Sequence, residues 1–322
     1  MELDSIPGLV SVVMPAYNRQ ATIAPALASV LGQSYRHLEL LVVDDGSTDA
    51  TAVVVERFAA VDDRVRFVRL GENAGRSAAR NRALDMARGE FVTIIDSDDL
   101  FAPTRLERLV AAAGRFPGDD VFLDDNLQFA FRKERVVLRG RSVYPTGVVR
   151  GRIHPVWIEG YLRWSAASKL FVRRSLIEHL AIRFPVEMEQ AEDYVVLLRV
   201  LFEGRSRRLI RVPESLYWYR RPYEDRRDAA WLVEQGIRAL TKAQELADNR
   251  ELDEMVPRIR QFMEQNPDDG DPRRRFDPRR FTRDRLVLVW CFAWGRVVDQ
   301  PSRPGLRDAI EHALTLDQPQ QH

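Results

Sequence analysis

Residues 91–99 read Phe-Val-Thr-Ile-Ile-Asp-Ser-Asp-Asp, a run of five residues suited to a buried strand that leads directly into three carboxylates within four positions. β-Branched and aromatic side chains favour the strand. Three carboxylates this close repel one another unless a cation or several donors offset them. Their spacing suits a hard divalent ion that also takes phosphate oxygens. Taken alone, the stretch reads either as such a site or as a solvated acidic turn capping the helix that follows Pro103. The neighbouring sequence weighs the choice toward a ligand. Val10 to Met14, Leu38 to Val43 and Val65 to Leu70 are further short apolar runs, separated by helical stretches at Ala21 to Leu31, Thr51 to Ala60 and Ser77 to Arg88. Such alternation predicts right-handed βαβ units and a parallel sheet covered on both faces. Ligands of sheets of this kind bind beyond the carboxyl ends of the strands.

Each of the other strand ends also carries polar residues. After the first strand comes Pro15-Ala16-Tyr17-Asn18. The proline is expected to stop ladder pairing and set a loop, with Tyr17 either a surface aromatic or a platform for a flat base. After the second comes Asp44-Asp45-Gly46-Ser47-Thr48-Asp49. Gly46 and Ser47 suit a turn and Asp49 a helix cap, which leaves Asp44 and Asp45 for a ligand rich in hydroxyl and N–H donors. Between the third and fourth strands lies Asn73-Ala74-Gly75-Arg76-Ser77-Ala78-Ala79-Arg80-Asn81. A tight turn there opens a helix whose first N–H groups and positive dipole end face outward, with Arg76 and Arg80 adding charge for an anion. The stretch has neither the spacing of a phosphate-binding GxxxxGK loop nor that of GxGxxG.

Together these segments resemble the family 2 glycosyltransferases of the GT-A fold. The matching stretches are Val10 to Asn18, Val42 to Asp49, Asn73 to Gly75 with Arg80-Asn81, and Ile94 to Asp99, in the family's order and separations; the likeness spans roughly residues 8 to 222. It implies an α/β fold with a Rossmann-like nucleotide-binding sheet and a mixed acceptor-side region, over residues 1–225, followed by a helical C-terminal extension over 226–322. The resemblance further implies that Tyr17 and Asp45 face the nucleobase of a nucleotide-diphosphate sugar, with uridine the expected base. Asp96 would face the ribose, and Asp98 a Mn2+ or Mg2+ ion bridging the diphosphate. Pro15, Asn18, Asn73, Gly75, Arg80 and Ser97 complete the expected donor site. The family's Glu-Asp pair at a helix start corresponds to Glu192-Asp193. An inverting transfer needs a carboxylate to take the proton of the acceptor hydroxyl, and Asp193 is the candidate base. Helix-start acids favoured by the dipole are the plain alternative. Lys169, Trp218 and Arg220 match the acceptor-side strand and late loop, where Lys169 and Arg220 would steady the diphosphate or acceptor and Trp218 would stack on a sugar.

The remaining chain sets the limits. In 322 residues the net charge is +1, which argues against a nucleic-acid binder, and 45% hydrophobic residues are enough for a large core. One cysteine, Cys291, leaves no internal disulfide and no zinc spacing. Neither a signal peptide nor a spanning helix is expected, which fits a cytoplasmic protein. Past Pro103 the pattern predicts a helix from Thr104 to Gly114 and strands at Val121 to Phe131, Arg135 to Leu138 and Lys169 to Val172. It then predicts a helix from Glu192 to Phe202 and strands at Leu209 to Val212 and Ser215 to Tyr219, with helices from Asp228 onward. Arginines from Arg273 to Arg285 precede the apolar Leu286 to Trp294, so that this segment either packs into the core or lies against an anionic membrane carrying a lipid-linked acceptor. The acceptor class by resemblance is a saccharide or lipid-linked saccharide of bacterial exopolysaccharide, capsule or lipopolysaccharide assembly. A nucleotidyltransferase would want a glycine-rich basic loop where Pro15-Ala16-Tyr17-Asn18 stands. A non-catalytic nucleotide-sugar or glycan-binding protein on the same fold is the reading that Asp193 discriminates.

Overall fold

In a computed structural model, the described residues are 5–132, 135–142, 170–204, 209–220 and 229–247, with 249–250, 253–254, 256–257 and 260–261 beyond. Strands β1 (Ile6–Ala16), β2 (Leu38–Asp44), β3 (Val65–Arg69) and β4 (Gly89–Ile94) run parallel in the order β3-β2-β1-β4. Their connections contain α1 (Ile23–Leu31), α2 (Thr51–Ala59) and α3 (Arg76–Met86). Side chains alternate across the sheet. Val10, Val12 and Met14 pack with Ile23, Leu27 and Val55 on one face, whereas Val13, Leu41 and Val43 pack with Ala79 and Ala83 of α3 on the other. Both faces are therefore covered, the condition under which strands read as continuous apolar runs.

Pro15 does not end the first strand. Pairing with β2 continues through Pro15 opposite Val43 and Ala16 opposite Asp44. The reason lies in the alternation of the parallel ladder. Ala16 accepts from the Asp45 N–H on the β2 side, so Pro15 directs its backbone groups toward β4. There the ladder has closed at Val13 opposite Ile94, and the missing N–H costs no bond.

Beyond β4 the sheet becomes mixed. It is completed by β5 (Leu100–Phe101), β6 (Val121–Arg132), β7 (Arg135–Ser142), β8 (Phe171–Arg173) and β9 (Leu209–Arg220), in the path β4-β8-β6-β9-β5 with β7 on β6. Helices α4 (Arg105–Arg115), α5 (Arg174–His179), α6 (Glu192–Phe202) and α7 (Ala229–Leu246) accompany it. The two strands expected at Leu209 to Val212 and Ser215 to Tyr219 are one strand: Asp124 faces Val212 and Asp125 faces Ser215, so Pro213 and Glu214 bulge out of the ladder. The two-residue β5 and six-residue α5 are too short to have shown a period. Ala239, Leu240 and Ala243 of α7 join the cluster formed by α3, α6 and the sheet. Among the described residues no helix is long and apolar enough to cross a membrane. Lys169, most of Glu251 to Gln265, and the segment Arg273 to Trp294 lie outside the described residues.

Buried polar groups lock the sheet. Arg105, fully buried, donates through Nη2 to Asp124 at 2.8 Å and through Nη1 to Thr93 Oγ1 at 3.2 Å, its guanidinium 4.2 Å from the Phe101 ring centroid. Glu39 of β2, 2% exposed, accepts from Ser11 Oγ at 2.7 Å, the Arg88 N–H at 2.8 Å, Arg66 Nη1 at 2.9 Å and Arg88 Nε at 3.0 Å. Burial alone would raise its carboxyl pKa; the hydrogen bonds from Ser11, the Arg88 backbone, Arg66 and the Arg88 side chain together lower it. The stabilisation is thus complete above the unfolded carboxyl value of about 4.3 and disappears as pH falls through the lower folded one. Glu39→Gln is expected to cost about 2 kcal/mol at pH 7 in urea unfolding, and the difference from the parent should shrink toward pH 3.

Candidate active site

The loops at the carboxyl ends of β1, β2 and β4 meet at one edge of the sheet, and hydrogen bonds knit the first two together. Asn18, at φ 50, donates its N–H to Ser47 Oγ at 2.9 Å and accepts the Thr48 N–H on Oδ1 at 2.9 Å. Asp44 is fully buried, accepts the Ser47 N–H at 3.1 Å and the Ser47 hydroxyl on Oδ1, and has Arg69 Nε 3.3 Å from Oδ2 as an ion pair without a hydrogen bond. It is a loop fastener. Asp45 takes the Ala74 N–H on Oδ1 at 2.8 Å and the Gly75 N–H on Oδ2 at 2.9 Å. Asn73 Oδ1 shares that Gly75 N–H at 3.1 Å. Asp45 therefore holds the turn into α3, and each carboxylate oxygen retains a second lone pair. Gly46 is required here: its φ is +74, and a Cβ would lie 2.8 Å from the Glu72 carbonyl carbon. Gly75, at φ +91, leads directly into α3. Tyr17 is 40% exposed, and Pro15 is buried.

The three carboxylates after β4 are not equivalent. Asp99 is fully buried, accepting the Tyr217 hydroxyl at 2.5 Å and the Arg220 N–H at 2.8 Å. Burial, then Asp98 and Asp96, push its carboxyl well above the usual range. The Tyr217 hydroxyl also accepts the Asp96 N–H at 3.3 Å, so one phenol anchors both ends of the loop. Asp96 receives Arg80 Nη2 at 2.9 Å. Asp98 keeps the loosest tie, an ion pair with Arg19 Nε at 3.7 Å. Burial and the Asp96 charge raise the Asp98 carboxyl, opposed by Arg19 and Arg220. Ser97 is buried between them at 4%.

Arg80 joins this loop to the start of α6. It is 1% exposed, with Nη2 on Asp96, Nη1 on Glu192 Oε1, and its guanidinium 5.2 Å from the Phe184 ring centroid. Burial works against its charge, and Asp96, Glu192 and Asp193 outweigh that, so the guanidinium is held charged. Glu192 is 2% exposed, its carboxyl raised by burial and by Asp193 and lowered by Arg80 and Arg76. Asn81, next to Arg80, makes a reciprocal pair with the Phe184 backbone, donating to the carbonyl and accepting the N–H, each at 2.8 Å. Asp193 is half-buried, and its Oδ1 accepts the Tyr194 N–H at 3.0 Å.

The structure brings Tyr17, Asn18, Asp45, Asn73, Gly75, Arg80, Asp96, Asp98 and the Glu192-Asp193 helix start to one side of the sheet. Arg80 does not face outward as an anion donor; it is consumed by two carboxylates. Trp218 is not on a sugar-facing surface. It is 3% exposed, paired against Leu127 and Leu100 in the ladders, and its indole N–H donates to the Ser215 carbonyl at 3.2 Å. Arg220, two positions further along the same strand, lies close enough to Asp98 and Asp99 for their charges to act on its guanidinium. Tyr217, which joins Asp99 to the Asp96 backbone, has no signal in the sequence beyond a tyrosine beside apolar residues on a strand.

A parallel half sheet joined to a mixed sheet, with acidic residues at the strand ends, is the architecture of GT-A glycosyltransferases. Residues 11–126 match the family described as Glycosyl transferase family 2. EpsH of Bacillus subtilis (strain 168), a relative named a glycosyltransferase, is 31% identical over 259 residues, covering 79% of this chain and 74% of its own. The succinoglycan biosynthesis protein ExoO of Rhizobium meliloti (strain 1021) is 32% identical over 209 residues, or 63% of this chain and 58% of its own. Among solved structures, S. aureus TarS 1–349 in complex with UDP-GlcNAc superposes with a TM-score of 0.61 at 22% identity, covering 86% of this chain and 77% of that one. The mannosyltransferase PcManGT from Pyrobaculum calidifontis, in complex with GDP-Man and Mn2+, gives 0.53 at 18% identity, with 94% and 85% covered. The chain belongs to glycosyltransferase family 2.

Proposed function

We propose that the chain is an inverting transferase that moves a sugar from a uridine-diphosphate sugar, with a divalent metal, onto a saccharide or lipid-linked saccharide. One observation carries the reading: Asp45, Asp96 and Asp98 follow the carboxyl ends of β2 and β4, the parallel strands on either side of β1, and Arg80 ties that edge to the helix that begins at Glu192-Asp193. Tyr17 offers an exposed ring to the base, and Asp45 has lone pairs remaining for a base N–H. Asp96, anchored on one oxygen by Arg80, accepts from the ribose hydroxyls. Homologues in exopolysaccharide biosynthesis and structural neighbours crystallised with UDP-GlcNAc or GDP-Man support the donor class.

The residues fit a shared metal rather than a protein-made cage. Among the described residues no group of three or more acidic, histidine or cysteine side chains forms a complete ligand set. Asp99 is committed to Tyr217 and Asp96 to Arg80, whereas Asp98 is a carboxylate made acid-weak by burial and by its neighbour's charge. A single carboxylate plus donor phosphates is how Mg2+ or Mn2+ is commonly held. When bound, the ion would neutralise charge on the leaving diphosphate. Arg19, beside Asp98, and Arg220 add positive charge at the same end. Asp193 takes the proton from the acceptor hydroxyl as its oxygen attacks the anomeric carbon and the diphosphate departs from the opposite face.

The test is a panel of nucleotide-sugars with and without Mn2+, read by thermal stabilisation and by release of nucleoside diphosphate. A true donor at about 100 times its Kd stabilises by about 2.7 kcal/mol. With UDP-sugars and Mn2+ a clear upward shift in melting temperature is expected. Asp98→Asn should remove the Mn2+-dependent part of that shift and keep the rest. Silence toward every donor would favour a non-catalytic protein.

A further inference from the structure

We infer that Glu192 is a positioning residue, which turns its carboxylate inward onto Arg80 so that Asp193 is set toward the acceptor at a fixed place relative to the donor loop. The inference rests on the reading of Asp193 as the base. Successive residues on a helix point about 100° apart, so fixing one side chain in the first turn fixes the direction of the next. Glu192 is held there by Arg80 Nη1, with Arg76 Nη1 at 3.9 Å, and it is 2% exposed. The helix begins abruptly: Ala191 stands at φ 63, so the turn of chain before Glu192 is sharp and the start of α6 depends on what grips it. Helix α3 supplies three ties to this region: Arg76 and Arg80 on Glu192 and, eight residues earlier, Asn81 on both backbone groups of Phe184. Arg80 gives its other nitrogen, Nη2, to Asp96 at 2.9 Å. One rigid, buried guanidinium therefore sets the distance between the donor-side carboxylate loop and the acceptor-side base. Its planar fork holds both partners at fixed angles in a way a lysine cannot.

Because the two partners occupy different nitrogens, loss of the Glu192 charge leaves the Asp96 contact in place. Glu192→Gln should therefore lower kcat about 10- to 100-fold, the cost of misplacing a reacting group by about 1 Å, while donor KM and thermal stabilisation by UDP stay within about twofold. In an Asp193→Asn background the same change should have no further effect on residual transfer, because its influence passes through Asp193. Parental kcat in Glu192→Gln, or a loss of donor affinity matching the loss of kcat, overturns the proposal. So does an undiminished effect in the Asp193→Asn background. Should Glu192→Gln fail to fold, Glu192→Asp, which keeps the charge and withdraws it by one methylene, is read by the same split; if neither folds, Glu192 is a structural residue and the proposal fails. The base reading fails separately, through an active Asp193→Asn.

Discussion

Asp193→Asn is expected to lower transfer about 1,000-fold with donor affinity unchanged within about twofold, as measured by kcat for sugar transfer and by UDP-induced thermal stabilisation. General-base catalysis contributes about 100- to 10,000-fold, and the amide keeps the shape and the hydrogen bond from the Tyr194 N–H but cannot take a proton. The substitution is gentle on the fold. Asp193 is half-buried at a helix start, so losing its charge removes a favourable dipole contact worth about 0.5 kcal/mol. A variant that turned over at the parental rate would exclude Asp193 as the base. One that lost donor binding in step with turnover would place it on the donor side instead.

Arg80→Met is expected to cost about 4 kcal/mol of stability. Methionine fills a similar length but leaves two carboxylates facing the gap, one of them almost wholly buried. Removing one partner of a buried ion pair typically costs about 3–5 kcal/mol because the remaining charge is stranded. At about 3 °C per kcal/mol, the melting temperature should fall by about 12 °C. Raising the acidity toward pH 5 should recover part of the loss in the variant, since Glu192 can then take up a proton. A fall of under about 2 °C would mean that water or another cation readily replaces Arg80.

The parallel half of the fold was legible because its strands are buried on both faces and so read as unbroken apolar runs. Asp45, Asp96 and Asp98 were legible for a related reason: charge placed immediately after such a run has to lie at the strand's end. What escaped were relations across long stretches of chain. Arg80 and Glu192 are 112 positions apart, and nothing in the spacing of either indicates that they meet. Arg80 looked like a free cation at a helix start, but the helix turns it inward. Trp218 and Arg220 stand two apart on one strand and share its face by period, so only their surroundings, Leu127 and Leu100 beside Trp218 and Asp98 and Asp99 near Arg220, separate a core residue from one at the site. Pro15 misled because its effect depends on which neighbour its nitrogen faces, information that only the sheet order holds.

The Tyr217 anchor of Asp99 also has a consequence for biosynthesis. The two residues are separated by 118 positions, and a ribosome adding about 5–20 residues per second needs about 6–24 seconds to bridge that gap. During that interval the parallel strands and α3 are already out of the tunnel, yet the acidic loop lacks the phenol and the Arg220 N–H that hold it. A nascent chain should therefore acquire its parallel sheet first and its finished acidic loop only after β9 is inserted, so that a half-made polypeptide is folded before it is competent.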